Sequence, residues 1–269
     1  MKNVAAFKEF IWNFYHNNKR DFAWRNIDNP YYILVSEIML QQTQTHRVIS
    51  KYEEFIAAFP TIEVLAASSL RDVLSVWQGL GYYRRARFLH QLSQIVVNEY
   101  GGELPQDAKT LQTLPGIGAG TAGSLGAFAF NMPTVFIETN IRTVFIHCFF
   151  QDKVSVMDKE LFPLIAATVD QNNPREWYYA LMDYGVWCKS QKINPSRKSA
   201  HYTKQSKFEG SDRQIRAQIV KLITEKDGIT QHDIMMIIDK DVVRVERIIN
   251  KLIAEDFIKK TINDIYSIV

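Results

Sequence analysis

The chain has 269 residues, 46% apolar and 23% charged, enough to bury one large core or two smaller ones, which excludes a disordered chain and a disulfide-stapled miniprotein. Glycine (12) and proline (8) are sparse, and no apolar run approaches the roughly eighteen residues that a membrane span needs, so a globular protein with no membrane partner is expected. Lys+Arg 32 against Asp+Glu 29 leaves +3, a mild excess that permits an acidic polymer as partner without demanding one.

From the N-terminus, charge interrupts the apolar residues too early for a secretory segment, and Cys148 and Cys188 are the only cysteines, which makes a reducing cytoplasm the default setting. Helical periodicity then dominates, with no strand alternation in the first 190 residues: Val4, Phe7, Ile11 and Phe14, then Ile33, Val35, Ile38 and Met39, then Val48, Ile49, Tyr52 and Phe55. Ser69-Leu70-Arg71-Asp72 predicts a capped helix through Val73, Leu74 and Trp77 that stops at Gly79-Leu80-Gly81.

The most informative string is Leu114-Pro115-Gly116-Ile117-Gly118-Ala119-Gly120-Thr121-Ala122-Gly123. Its glycines end one helix and open another, so the N–H groups of the turn can meet a phosphate with no side chain in the way. An ordinary helix-helix turn is the plain alternative for a lone Gly-x-Gly. Residues 189–210 then lose aliphatic content and are basic, with Lys189, Lys192, Arg197, Lys198, Lys204 and Lys207 interleaved with Tyr202 and Phe208, a composition suited to backbone phosphates. This divides the chain into a first domain over 1–194, a basic linker over 195–210 and a second domain over 211–269.

The second domain reads as three helices and a terminal hairpin, and resembles a winged helix. Ile215, Ile219, Leu222 and Ile223 mark the first helix, and Ile234 and Ile237 the second, after a turn at Gly228-Ile229-Thr230. Val242, Val245, Ile248, Ile249 and Leu252 mark the third, and two extended runs flank Asn263-Asp264. Lys240, Arg244, Arg247 and Lys251 share a polar face of the third helix, suited to a DNA groove or simply to solvent.

Leu-Pro-Gly-Ile-Gly followed by Thr-Ala-Gly resembles the helix-hairpin-helix of DNA repair glycosylases of the endonuclease III superfamily. Arg20-Asp21-Phe22-Ala23-Trp24-Arg25, Pro30-Tyr31, Ser36-Glu37-Ile38-Met39-Leu40-Gln41-Gln42-Thr43-Gln44 and Trp77-Gln78-Gly79-Leu80-Gly81-Tyr82-Tyr83-Arg84-Arg85-Ala86-Arg87 are similar to the MutY-like adenine glycosylase branch. The resemblance implies a mainly α fold of two helical lobes with DNA across their cleft, here followed by the winged helix. It implies excision of adenine opposite 8-oxoguanine or guanine by a monomer in a prokaryotic cytoplasm, with double-stranded DNA carrying a mispaired or damaged base as partner.

Hydrolysis of a purine N-glycosidic bond needs an acid for the leaving base and a carboxylate near the cationic sugar. Glu37, flanked by Ile33, Leu34, Val35, Ile38, Met39 and Leu40, is placed where burial raises a carboxyl pKa, and the resemblance makes it the acid. Glu138 stands where the family has Asp, in Ile137-Glu138-Thr139-Asn140, and its extra methylene shifts the carboxylate by about 1.5 Å. Asn140 matches the family and would orient the carboxylate or the attacking water.

By the same resemblance, Trp24, Arg25, Leu40, Gly120 and Tyr179 line the base pocket. Gly116, Gly118, Gly120 and Thr121 meet the backbone and offer a place for a monovalent cation, joined by Gln42, Thr43, Arg197, Lys198 and Lys204. Gln41 and Tyr82 enter the stack opened by base flipping. Gly120 occupies the position of the lyase lysine, which implies a monofunctional enzyme. The family's iron–sulfur cluster requires C-x6-C-x2-C-x5-C; Cys188 stands at the first position but Pro195, Lys198 and Lys204 fill the rest, so no cluster or other metal is expected. The resemblance implies a larger 8-oxoguanine-reading domain after the glycosylase domain, and the winged helix is expected in its place.

Three other functions fit parts of the sequence. Gly120 and Tyr179 favour a thymine or uracil mismatch glycosylase on the same fold. Glu138 favours a catalytically weak mismatch-binding protein. A winged-helix regulatory protein would leave the active-site strings unexplained.

Overall fold

Asn3 starts the first helix: its Oδ1 accepts from Ala5 N at 2.9 Å, and α1 (Val4–Asn18) turns Phe7, Ile11 and Tyr15 to one buried face. The computed structural model describes residues 3–191, 194–226 and 228–269, so Lys192 of the basic segment lies outside the described residues. After α2 (Pro30–Leu40), which has proline at its first position, come α3 (Thr45–Ala58), α4 (Ile62–Ala67), α5 (Leu70–Trp77) and α6 (Arg84–Tyr100). The expected cap of α5 is present, with Asp72 N donating to Ser69 Oγ at 3.1 Å. The chain leaves α5 through Gly79 (φ +92°) and Gly81 (φ +74°), a left-handed path that glycine takes without steric cost.

The remaining helices of the first domain are α7 (Ala108–Leu111), α8 (Ala119–Phe130), α9 (Thr139–Phe149), α10 (Asp158–Thr168) and α11 (Pro174–Ser190), followed by a 3-10 turn at Pro195–Lys198. The C-terminal segment adds α12 (Asp212–Glu225), β1 (Ile229–Thr230), α13 (Gln231–Ile237), α14 (Val242–Ala254), β2 (Ile258–Lys260) and β3 (Ile265–Ile268). None of the helices among the described residues is long and apolar enough to cross a membrane.

The chain forms two compact units, one from Met1–Glu37 with Leu104–Lys204 and one from Ile38–Glu103 with Gln205–Val269. In the first, α1, α9 and α11 close on an aromatic core: Phe7 lies 5.3 Å from Phe145 and 6.0 Å from Trp177 between ring centroids. Each fully buried ring of this kind contributes on the order of 1.5–3 kcal/mol. The start of the segment expected as a linker is folded here, with Pro195, Ser196 and Ser199 buried. Val156 N donates to Lys198 O at 2.8 Å and Ala200 N to Val156 O at 2.9 Å.

In the second unit, Trp77 packs edge-on to Phe55 at 5.8 Å, and the C-terminal segment adopts the expected winged-helix arrangement. Its antiparallel sheet runs β1-β3-β2, with Ile229 opposite Tyr266 and Ile258 opposite Ile268. Ile229-Thr230, read as a turn, is thus a short strand that gains its backbone partners from β3. Ile237, expected in the core, is 48% exposed, because the chain leaves α13 at Ile238 and buries that side chain instead. Arg84 and Arg216 both pair with Glu255, at 2.9 and 2.7 Å, and Arg71 Nη1 donates to Thr224 O at 2.9 Å, which fastens the winged helix to α5 and α6.

The polar face of α14 differs from expectation. Arg244 Nε and Arg247 Nη2 both donate to Asp212, at 2.6 and 2.8 Å, so these two cations are engaged with the N-terminus of α12. Lys240 and Lys251 are exposed.

Candidate active site

Glu37 lies in the third turn of α2, between buried Val35 and Ser36 on one side and buried Ile38 and Met39 on the other. Burial raises its carboxyl to about 7, the Ser124 hydroxyl hydrogen-bonded to it pulls the other way, and the charge of Glu138 adds to the rise. A carboxyl held there keeps a proton available near neutrality, the property a general acid needs.

Glu138 reaches the same site from the start of α9. It is the N-cap of that helix: Oε1 accepts from Asn140 N at 2.6 Å and Ile141 N at 2.7 Å, and Oε2 accepts from Asn140 Nδ2 at 3.3 Å. The longer arm of glutamate therefore folds back onto the helix terminus, where unpaired N–H groups favour a carboxylate. Burial nevertheless lifts the Glu138 carboxyl above its usual range, against the Ile141 N–H, Lys189, the Asn140 N–H and Arg142.

Close helix packing holds this arrangement. A Cβ added to Gly185 of α11 would lie 2.7 Å from both Cβ and O of Asn140, so only glycine lets α11 cross the first turn of α9 at this distance. A Cβ on Gly123 would meet Phe136 Cβ at 2.5 Å, which lets the segment leading into Glu138 lie against α8. That segment is also pinned by Thr134 Oγ1, which donates to Gly123 O at 2.7 Å, and by Tyr178 Oη, which donates to Thr134 O at 2.5 Å.

The expected pocket residues occupy supporting positions. Arg25 donates to both oxygens of Asp183 at 2.8 Å, and Arg20 Nε adds a bond to the same carboxylate at 2.6 Å. The Arg25 guanidinium, with 3% of its side chain exposed, is thus held by Asp183. Tyr179 stacks on Phe128 at 4.6 Å between ring centroids, and the Arg25 guanidinium lies 4.4 Å from its ring. Burial raises the Tyr179 hydroxyl pKa, and the charge of Glu37 adds to the rise. Trp24 is buried and stacks on Phe22 at 4.9 Å. Gly120 is exposed, with open space up to Ile137 O at 3.8 Å from where a Cβ would stand.

In the glycine turn, Gly116 has φ +81° and Gly118 is the N-cap of α8, while Gly118, Ala119 and Gly120 are exposed and Thr121 is half-buried. The start of a twelve-residue helix is therefore exposed at Ala119 and Gly120, a geometry that accepts a phosphate oxygen. Of the basic residues expected at DNA, Arg197 and Lys204 are exposed. Lys198 Nζ donates to Gln151 O at 2.7 Å, and Lys189 Nζ donates to Asn140 Oδ1 at 2.7 Å, so both serve internal contacts.

The second unit organises the residues expected to enter the base stack. α2 ends at half-buried Leu40, and Gln41, Gln42 (φ +54°) and Thr43 form the turn that follows. Arg85 Nη1 donates to Ile38 O, Met39 O and Gln41 O at 3.0, 2.7 and 2.6 Å, capping α2 from the side. Its guanidinium also lies 5.5 Å from the Tyr82 ring, so one buried cation sets the Gln41 turn and the Tyr82 turn together. The sequence shows Arg85 only as part of the Trp77–Arg87 string and Lys189 only as part of the basic segment, and Asp183 and Ser124 carry no signal beyond residue type.

A four-thiolate cluster does not fit these residues. Cys148 and Cys188 are both buried and form no disulfide, with burial and the neighbouring Cys188 raising Cys148 to about 12. Pro195 is buried, Lys198 is bonded to Gln151 O, and the segment is held by its backbone pairing with Val156.

Residues 35–162 match the model of the HhH-GPD superfamily base excision DNA repair proteins. The adenine DNA glycosylase of Buchnera aphidicola subsp. Baizongia pistaciae is 35% identical over 188 residues, 68% of this chain and 53% of that protein. The human adenine DNA glycosylase is 37% identical over 195 residues, covering 68% of this chain and 36% of the relative. The chain therefore spans about half or less of these relatives. The adenine DNA glycosylase of Mycobacterium tuberculosis is matched over 93% of this chain and 89% of its own length, at 27% identity. Among solved structures, a thermostable thymine-DNA glycosylase aligns with TM-score 0.60 and 26% identity, covering 68% of this chain and 85% of that one. A non-covalent endonuclease III–DNA complex shares the fold at TM-score 0.59 and 20% identity, over 71% of this chain and 90% of that one.

Proposed function

We propose that this chain, whose residues 35–162 match the HhH-GPD superfamily of base excision DNA repair proteins and which is similar to adenine DNA glycosylases, is a DNA N-glycosylase that hydrolyses the bond between adenine and its sugar opposite 8-oxoguanine or guanine. The observation that carries this reading is the pair of carboxyls in one site: Glu37, raised to about 7 by burial, and Glu138, N-capping α9. Glu37 protonates the departing base, Glu138 stabilises the positive charge that grows on the sugar, and water completes the hydrolysis. The exposed α8 N-terminus takes a backbone phosphate, with Arg197 and Lys204 adding charge along the strand. Gly120 brings no amine to the hairpin, which supports a monofunctional enzyme without strand cleavage.

Thymine or uracil opposite guanine is a second reading, favoured by the space at Gly120 and by the structural likeness to a thymine-DNA glycosylase. Single-turnover cleavage of duplexes carrying adenine, thymine, uracil or hypoxanthine opposite guanine or 8-oxoguanine, with alkali to reveal abasic sites, decides between them. Strongest release of adenine opposite 8-oxoguanine is expected, and release of thymine alone would overturn the choice. We also infer that no iron–sulfur cluster is bound; iron analysis of purified protein should find no stoichiometric iron.

A further inference from the structure

Lys189 stands one helical turn after Gly185 on the same face of α11, and the close crossing at Gly185 brings its side chain to the first turn of α9. There Nζ donates to Asn140 Oδ1 at 2.7 Å, while Asn140 Nδ2 faces Glu138 Oε2 at 3.3 Å. An amide can present either end to a neighbour, and an ammonium can only donate. A cation at Oδ1 therefore fixes the amide with its NH₂ toward the carboxylate.

We propose that Lys189 is a positioning residue for the second carboxylate of the site, orienting Asn140 toward Glu138 and keeping Glu138 in its charged form. It rests on the glycosylase reading above. The groups facing Glu138 come from four elements: Glu37 on α2, Lys189 on α11, Arg142 and the N–H groups on α9 itself, and Asp158 on α10 through Arg142. Asp158 engages Arg142 bidentately at 2.8 and 2.7 Å, which shares that charge away from Glu138. Lys189 is half-buried, its ammonium pulled down by burial and held up mainly by Glu138, so the two charges are mutually dependent. The position matters for the longer glutamate arm in particular, because a side chain with one more torsion needs one more restraint to be held in a single geometry.

The test combines two variants and two readouts. In wild type the excision rate requires Glu138 ionised and Glu37 protonated, which gives a bell-shaped pH profile. Lys189→Met removes the cation and should move the acidic limb upward by about one pH unit, the size expected for loss of a charge at this range. Lys189→Arg keeps the charge and should restore the wild-type limb while changing the maximal rate. The second readout is the titration midpoint of a carbon-13-labelled Glu138 carboxyl by NMR, which needs no catalysis and should rise in Lys189→Met by the same amount. Superimposable pH profiles, or an unchanged Glu138 midpoint, would overturn the proposal. Wild-type protein that releases no base from any duplex, with the midpoint still displaced in Lys189→Met, would overturn the glycosylase reading alone.

Discussion

The Tyr82 hydroxyl accepts a hydrogen bond from Arg213 Nη1 at 2.8 Å, and Gln205 Nε2 donates to the same oxygen. Arg213 belongs to α12, so the winged helix reaches the residue that resembles the family's intercalating wedge. Tyr82 is also held at φ +50°, a left-handed conformation that a bulky residue rarely adopts, and the contact steadies it there. Arg213→Ala and Tyr82→Phe are each expected to weaken binding to an abasic-analogue duplex a few-fold, and the double variant no further than either alone. Fluorescence anisotropy measures this, and additive losses would show that the bond has no part in DNA binding.

Glu37→Gln should abolish base release while leaving duplex affinity within a few-fold, because the amide keeps the shape and cannot deliver a proton. In wild type the rate should fall as pH rises through about 7, where Glu37 loses its proton. Stability follows the same group. The folded carboxyl is raised from 4.5 to about 7, so between those values the folded state holds a proton that the unfolded chain has released, and stability declines as pH rises. Denaturant melts on either side of that window should show the decline in wild type and a flatter dependence in Glu37→Gln.

Glu138→Gln keeps an oxygen for the N–H groups of α9 but removes the charge, and should slow excision on the order of 10²–10³-fold with little change in melting temperature. Glu138→Ala loses the cap as well and should cost about 1 kcal/mol of stability in addition. Glu138→Asp is expected to lower the rate, since Glu138 Oε1 already meets Asn140 N and Ile141 N at 2.6 and 2.7 Å with the longer arm. Unchanged single-turnover rates in all three, with only melting affected, would confine Glu138 to capping.

Gly185→Ala forces a methyl group against Asn140 Cβ and O, both 2.7 Å away, and against its Cα at 2.9 Å. Two of these three atoms are backbone, so α9 and α11 must move apart. An overpacking cost of about 1–3 kcal/mol is expected in urea melts, together with slower excision as Asn140 and Glu138 shift. A variant as stable as wild type would mean that the helices adjust without strain.

Much of the fold was readable because local signals and burial agree. Ser69 caps α5 as its spacing predicts, and the 3.6-residue stripe of Phe7 and Ile11 is the buried face of α1. Glu37 was legible for a similar reason, since an acid set in an apolar helix can only be buried or strained. What sequence left out are partners brought together across long separations. Asp183 binds Arg25 across 158 residues, and Lys189 leaves the basic segment to meet Asn140, 49 residues back. Charge composition told where cations are frequent, and it carried no information on which of them would find a buried acceptor. Ile229-Thr230 was missed because a two-residue strand has no periodicity, and β3 supplies its pairing.

The first helix of the chain is held by the last helix of its own unit: Tyr15 Oη donates to Glu176 Oε2 at 2.7 Å across 161 residues, and Phe7 packs on Trp177. During synthesis α1 therefore emerges long before its core exists, and its apolar face must wait through the making of α2 to α10. Contacts of such separation carry a large loop-closure cost and slow the search for the native state. Refolding of the first unit should thus end with α1 docking, and the buried face of Phe7, Ile11 and Tyr15 is the surface a nascent chain would leave open to chaperones.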